Sequence, residues 1–237
     1  MGIAQTFVET ITPVSRVEIA RVIERDGVAM VESCLSELTV ARLCESLDDS
    51  QYGQRNLLRK SVIQELARSR EVRSLVASVL GPNCYAVKGI LFNKTQKSNW
   101  KVPWHQDLTI TVKDRVEVEG FGPWTIKSGV VNVQPPADVL GGILAMRIHL
   151  DANDHQNGPL RVIPGSHKHG RLTAEQIAKW DKSESVECLI PRGGALVMRP
   201  LLLHASSACL LPKSRRVIHL EYSGEDLPSG LRWHTKV

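Results

Sequence analysis

The sequence predicts a mainly β fold with helices flanking its N-terminal side, and three observations lead there. From about residue 14 to residue 80, apolar residues recur at three- and four-residue spacing, the period of helices with one buried face. Gly81-Pro82 then stops that pattern. From residue 83 the period falls to two or dissolves into short apolar runs, and Gly and Pro separate eight or nine of them. So many short strands describe a sandwich, a barrel or a jelly roll. The 237 residues suit a single domain, 1–237, with 1–82 as a mainly helical buttress and 83–223 as the β core. No Pro/Gly-rich linker divides the two parts.

Taken in order, Ile19, Val22 and Ile23 share one face of a first helix, which Ser15 can cap and Gly27 closes. Val28–Val31 is a short strand. Leu38 to Leu47 forms a second helix, with Ser36 or Thr39 near its start, and Ser61 to Leu80 continues the helical period. Strands are expected over Tyr85–Phe92, Leu108–Val112, Gly129–Val133, Leu144–Leu150 and Leu160–Ile163. Val186–Ile190, Ala195–Met198, Leu201–Ala205 and Val217–Tyr222 complete the set. Two insertions interrupt them. Residues 113–140 carry Glu119-Gly120-Phe121-Gly122-Pro123-Trp124 and Gln134-Pro135-Pro136, a length uncommon for a mere connector, and 170–184 hold a short helix, Thr173–Trp180.

Composition removes several classes. With 42% hydrophobic and 23% charged residues, the chain has the balance of a folded domain rather than a disordered one. No apolar run approaches a bilayer span, and the start lacks a secretory signal's basic and apolar regions, so a soluble, cytoplasmic protein is expected. Gly2 and Thr6 meet the loose myristoylation pattern, which is too short to weigh heavily. The five cysteines, at 34, 44, 84, 188 and 209, are widely spaced with no Cys-x-x-Cys; they read as small core residues, not a disulfide frame or zinc ribbon. The net charge of +5 is scattered, its densest cluster being Lys213-Ser214-Arg215-Arg216. That favours an anionic small-molecule partner over nucleic acid and is compatible with an oligomer.

The chemistry concentrates in Val102-Pro103-Trp104-His105-Gln106-Asp107-Leu108-Thr109-Ile110. His105 and Asp107, two apart on extended backbone, share a face. His204 lies about a hundred residues on, and two histidines with one carboxylate give Fe(II) three ligands and leave positions open. Arg215 follows eleven residues later, a fork suited to a carboxylate. Spacing alone does not decide, because His149-Leu150-Asp151 repeats the pair and His167-Lys168-His169 offers another. The surrounding motifs do: Pro103-Trp104-His105-Gln106-Asp107-Leu108, then Asn157-Gly158-Pro159-Leu160, then Pro164-Gly165-Ser166-His167, all before His204 and Arg215. In these, over about residues 85–222, the chain resembles the phytanoyl-CoA dioxygenase (PhyH-like) family of iron- and 2-oxoglutarate-dependent oxygenases.

The resemblance implies a double-stranded β-helix, the cupin-like jelly roll, with iron held between its sheets. It implies Fe(II) on His105, Asp107 and His204, with 2-oxoglutarate and O2 as cosubstrates. The implied reaction hydroxylates an unactivated C–H bond of a small molecule and releases succinate and CO2. Halogenating relatives lack the carboxylate ligand, and here Asp107 is present. The family pattern assigns Arg215 and Ser206 to the distal carboxylate of 2-oxoglutarate, and strand alternation sends Arg216 to the other face. Asn93 and Lys94 line the cosubstrate pocket by the same resemblance. Arg147 stands where some relatives carry an aromatic residue; it either faces in, needing an anionic partner, or faces solvent. Phe121, Trp124 and Lys127 in the 113–140 insertion either close over substrate or pack in a dimer interface. Trp100 and Trp104 read as packing residues, and His167 as scaffold. Two rival functions are a demethylase on the same chemistry and a non-redox metal-binding β-helix regulator. The first wants a basic groove with stacking aromatics and the second degraded ligands; the sequence displays neither clearly.

Overall fold

The computed structural model describes residues 10–11, 16–48, 53–95, 99–209 and 215–237. The Ser15 cap, the Gly2–Thr6 pattern and Lys213-Ser214 lie outside them.

A two-residue strand, β1 (Thr10–Ile11), precedes helix α1 (Arg16–Asp26), strand β2 (Val28–Val31) and helix α2 (Glu37–Ser46). Ser36 is the cap of α2, its hydroxyl accepting from the Thr39 N–H at 3.2 Å. After β3 (Gly53–Gln54), the helix expected over 61–80 divides into α3 (Ser61–Arg68) and α4 (Arg70–Leu80). Ser69 makes the break: its backbone is extended, and its hydroxyl caps α4 by accepting from the Val72 N–H. A serine offers the backbone this alternative to continuing a helix.

The β core runs through β4 (Tyr85–Lys94), β5 (Val102–His105), β6 (Ile110–Val112), β7 (Trp124–Lys127) and β8 (Val130–Val133). The five-residue helix α5 (Ala137–Gly141) leads into β9 (Ile143–His149) and β10 (Leu160–Val162). Then come α6 (Ala174–Lys179), β11 (Val186–Cys188), β12 (Ala195–Met198), β13 (His204–Ser206) and β14 (Arg215–Ser223). Thr173 and Gln176 form a full capping box at the start of α6. Strand β7 and helix α5 arise inside the insertion read from sequence as a long loop. The strand expected over Leu201–Ala205 starts only at His204, because residues 199–202 make a turn closed by Leu202 N–H to Arg199 O.

The strands form a seven-stranded sheet, ordered β1-β2-β12-β9-β14-β4-β3, and a four-stranded sheet, β11-β10-β13-β5. All their pairings are antiparallel except β1 with β2. The insertion contributes a third sheet, β6-β8-β7. Alternation along the large sheet sorts its side chains. Leu144, Met146, Ile148, Ile218, Leu220 and Tyr222 face outward into one apolar cluster with Val22, Ile23, Val40, Ile63 and Val76 of the helices. Each such side chain, fully buried, contributes about 1.5–3 kcal/mol. The helices thus cover the outer face of the large sheet and leave its inner face to the site. Cys34, Cys84, Cys188 and Cys209 are buried and Cys44 half-buried, all as free thiols. No helix among the described residues is long and apolar enough to cross a membrane.

Candidate metal centre and active site

Strands β5 and β13 pair with His105 opposite His204, and the two rings sit 4.1 Å apart between centroids. The Nδ1 of His105 lies 2.9 Å from the Pro103 carbonyl oxygen, and the Nδ1 of His204 lies 2.8 Å from that of Leu202. Each Nδ1–H therefore donates to a backbone carbonyl, which leaves both Nε2 lone pairs for a metal. Asp107 completes the group: its Oδ1 is 3.8 Å from His105 Nε2 and its Oδ2 is 3.7 Å from His204 Nε2. The three donor atoms lie within 4.8 Å of one another, the one such cluster among the described residues. Two imidazoles and a carboxylate on one side of a cleft fit Fe(II) and leave its remaining positions open. Burial pushes the His204 imidazole down to about 4, against the pull of Asp107, so it is neutral near pH 7. Burial alone would raise the Asp107 carboxyl, but His204, His219, His105 and Lys88 outweigh it and hold the group well below the usual carboxylate range.

Gln106, between the two loop ligands, points the opposite way and is buried. Its amide donates to Leu201 O at 2.7 Å and Gly170 O at 2.8 Å, and its oxygen accepts from Leu172 N–H at 2.8 Å. Asp107 N–H also donates to Pro200 O at 2.9 Å. The His105–Asp107 loop is thereby tied to the turn that precedes His204. Gln106 is a positioning residue that the sequence reading passed over; a polar side chain wedged between two ligands on alternating backbone was the available sign.

The inner face of the large sheet forms the opposite wall. On β14, Arg215, Val217, His219 and Glu221 point inward, while Arg216 turns outward and binds both carboxylate oxygens of Asp151 at 2.8–2.9 Å. That pairing also occupies the acid of the His149/Asp151 decoy. His149 is buried beside Arg147, and burial, then Arg147 and Arg215, push its imidazole well down. Arg215 and Lys94 face each other across β14 and β4, 5% and 2% exposed. Lys94 Nζ donates to Ser206 Oγ at 3.1 Å and Ser207 O at 2.8 Å, while Arg215 Nη1 donates to Gly158 O. Arg147 faces inward, its guanidinium 5.2 Å from the Phe92 ring centroid and 3.5 Å from His219 Nδ1. The Nε atoms of both arginines are buried without a hydrogen-bond partner, and neither arginine meets a carboxylate among the described residues. Burial lowers Lys94 to about 8 and Arg215 to about 10, with a neighbouring arginine adding to each. Buried Lys94 and Arg215 and half-buried Arg147, with no carboxylate partner among the described residues, fit the carboxylates of 2-oxoglutarate.

Farther along the same wall, Lys88 Nζ pairs with Glu221 at 2.8 Å and donates to Thr109 O at 2.9 Å; Glu221 in turn meets His219 Nε2 at 3.2 Å. Neither His219 nor Glu221 was singled out from sequence, although both sit in a strand that was expected.

Three sequence-based expectations change. Asn93 alternates with Lys94 on β4, pairs with Arg216 in register and lies outside the cleft lining, so it leaves the cosubstrate set. Phe121 is buried in a satellite cluster with Val133, Leu140, Leu227, Leu231 and Trp233, and Trp124 packs against the same cluster. Both support the third sheet against the C-terminal segment instead of covering the cleft. Lys127 does line the cleft, as does Trp100, which was expected only to pack. Trp104 lies outside the lining and stacks under Arg161, 5.4 Å from the ring centroid. His167 packs against Gly27, away from the metal cluster.

Gly158 has φ +66°, and a Cβ there would come 2.3 Å from Ser207 O. The turn cannot open without moving the carbonyl that Arg215 holds. Gly158→Ala is expected to cost about 1–3 kcal/mol, at roughly 2–4 °C of melting temperature per kcal/mol for a chain of this size. It should also weaken 2-oxoglutarate binding. Thermal melts with a 2-oxoglutarate titration check this, and an unchanged melt would refute it.

A family model described as phytanoyl-CoA dioxygenase (PhyH) matches residues 23–217. The chain belongs to the phytanoyl-CoA dioxygenase family. PhyH proteins are non-haem oxygenases that use Fe(II), 2-oxoglutarate and O2. The peroxisomal phytanoyl-CoA dioxygenase of Mus musculus is 25% identical over 174 residues, 66% of this chain and 44% of that protein. Its Rattus norvegicus counterpart is 26% identical over the same shares. The match thus spans under half the length of these curated PhyH relatives. Apo EctD from S. alaskensis has the same fold, with a TM-score of 0.66 at 21% identity over 91% of this chain and 80% of its own. HygX from Streptomyces hygroscopicus, with nickel and 2-oxoglutarate bound, gives 0.64 at 15% identity over 89% and 86%. This PhyH chain therefore has the double-stranded β-helix core that its motifs implied.

Proposed function

We propose that the chain hydroxylates an unactivated C–H bond of a small molecule, with the balance R–H + O2 + 2-oxoglutarate → R–OH + succinate + CO2. The observation that carries this reading is the facing of two incomplete sets across one cleft: the His105/Asp107/His204 cluster on one wall, and Arg215, Lys94 and Arg147 without anions on the other. His105, Asp107 and His204 hold the Fe(II), which when bound supplies the activation of O2. Arg215 grips the distal carboxylate of 2-oxoglutarate in two places, and Ser206 adds a hydroxyl donor. Lys94 and Arg147 flank the same anion, and Gly158 O keeps the Arg215 fork aimed. Ile90, Phe92, Val102 and Leu160 line the cleft and keep its chemistry from water. Asp107 supplies the carboxylate that halogenating relatives lack.

Succinate should form only when anaerobically reconstituted protein receives Fe(II), 2-oxoglutarate and O2 together, and omission of any one should remove it. A metabolite screen for faster, coupled succinate release then identifies R–H. Absence of succinate from the fully reconstituted protein in every case would overturn the reading.

A further inference from the structure

The cleft has two cationic ends, and only one is accounted for by the cosubstrate. Lys94 and Lys88 lie six residues apart on the same face of β4, which places them about 20 Å from each other along the strand. Lys94 sits with Arg215 at one end. Lys88 sits with Glu221 at the other, and there Arg55 and Lys127 join the lining. His105, Asp107 and His204 line the cleft that connects the two ends.

Arg55 and Lys127 come from segments distant in sequence, and a specific contact holds those segments together. Strands β7 and β8 are joined by Ser128-Gly129, with φ +51° and +74°. Two successive positive φ values are those of a tight hairpin turn that matches strand twist. Lys127 is the last residue of β7, at the tip of this hairpin. Ser128 O accepts from Asn56 Nδ2 at 3.4 Å, pinning the tip to the segment that carries Arg55. Lys127 feels its neighbours: partial burial lowers its ammonium, the charges of Arg55 and Lys88 lower it further, and Asp107 acts in the opposite sense.

The acids of this end are already engaged. Glu221 is bound by Lys88 and His219, and Asp107 belongs to the metal cluster. Among the described residues neither Arg55 nor Lys127 makes an ion pair with a carboxylate. Two exposed cations from distant segments converge on the rim of the cleft that the His105/Asp107/His204 cluster lines, where like charges without an anion repel.

We infer that Arg55 and Lys127 form an anion-binding subsite for the substrate, which carries a carboxylate or phosphate group remote from the carbon that is oxidised. The anion docks at the hairpin tip, the body of the molecule passes Ile90 and Thr109, and the reacting carbon faces the metal cluster. This deepens the oxygenase reading and rests on it for the orientation of the substrate. Lys88 serves here as a strut, since Glu221 and Thr109 O already take its ammonium.

The test uses the full chain loaded with Ni(II) in place of Fe(II) and saturated with 2-oxoglutarate, so that turnover is blocked and the Arg215 end is filled. Hexanoate, hexyl phosphate, hexanamide and hexylammonium are titrated calorimetrically at low salt. One of the anions should bind at least tenfold more tightly than hexanamide, and the preferred one assigns the group as carboxylate or phosphate. The Arg55→Ala/Lys127→Ala double variant should bring anion and amide within threefold of each other. Its 2-oxoglutarate affinity should stay within twofold of wild type and its melting temperature should not move, since both side chains are exposed. Anions that bind no better than hexanamide overturn the inference, as does a preference that survives in the double variant. So does a parallel loss of 2-oxoglutarate affinity, which would assign the two cations to the cosubstrate. A wild-type chain that makes no succinate in the Fe(II) assay sinks the oxygenase reading instead, and the titration reads the anion site independently of that result.

Discussion

His204→Ala and His105→Ala are each expected to leave the protein folded and without stoichiometric Fe(II). Each removes one of three ligand atoms from a cluster whose members lie within 4.8 Å of one another, and among the described residues no other group of His, Cys, Asp or Glu forms such a cluster. His204→Ala should have the larger effect, because that imidazole is buried, neutral and oriented by the Leu202 carbonyl. The decoy pair provides the control. His149→Ala should keep full iron. Asp151→Ala should keep it too while lowering the melting temperature, since Arg216 and Arg192 lose the carboxylate they share. Metal analysis of anaerobically reconstituted variants, beside their melts, reads all four. Iron lost from the His149 or Asp151 variant and retained in the other two would place the metal elsewhere.

Arg215→Lys should weaken 2-oxoglutarate binding by about 10- to 100-fold, the scale of losing a charge-assisted, two-point contact worth about 1.5–3 kcal/mol. Lysine keeps the charge and gives up the planar fork, and with it the bond to Gly158 O that aims the group. Binding should not vanish, because Lys94 and Arg147 remain in the same wall. Arg216→Lys should change it by less than twofold: Arg216 faces Asp151 on the other side of the sheet. Anaerobic titration of the iron-loaded variants measures both. Equal losses from the two substitutions would mean that β14 does not present Arg215 to the cleft.

The adjacent arginines illustrate how far the chain can be read without its fold. A strand alternates sides, so Arg215 and Arg216 must diverge, and the resemblance to the family, through the spacing of its arginine from His204, implies which one turns in. The same alternation applies to Asn93 and Lys94, but the resemblance names both for the pocket, and nothing local ties β4 to a particular register. Only its pairing with β14, Arg215 to Lys94, decides that Lys94 faces the cleft. A slip of one residue would exchange the two. Phe121 and Trp124 were misplaced for a related reason. Their partners, Leu227, Leu231 and Trp233, lie about a hundred residues later in a segment with no periodic signal.

By itself the sequence determined the change from helical to strand period at Gly81-Pro82, the His105/Asp107/His204 set, and the inward turn of Arg215. The first is a short-range property of residue spacing, whereas the ligand set and Arg215 follow from the family resemblance, which motifs carry by their order along the chain. The tertiary structure alone decided that Arg147 faces the cleft, that His219 and Glu221 join it, that Asn93 does not, and that Arg55 and Lys127 line one end of it. Those outcomes depend on strand register and on one hydrogen bond between Asn56 and Ser128, contacts between segments tens of residues apart whose meeting no local pattern encodes.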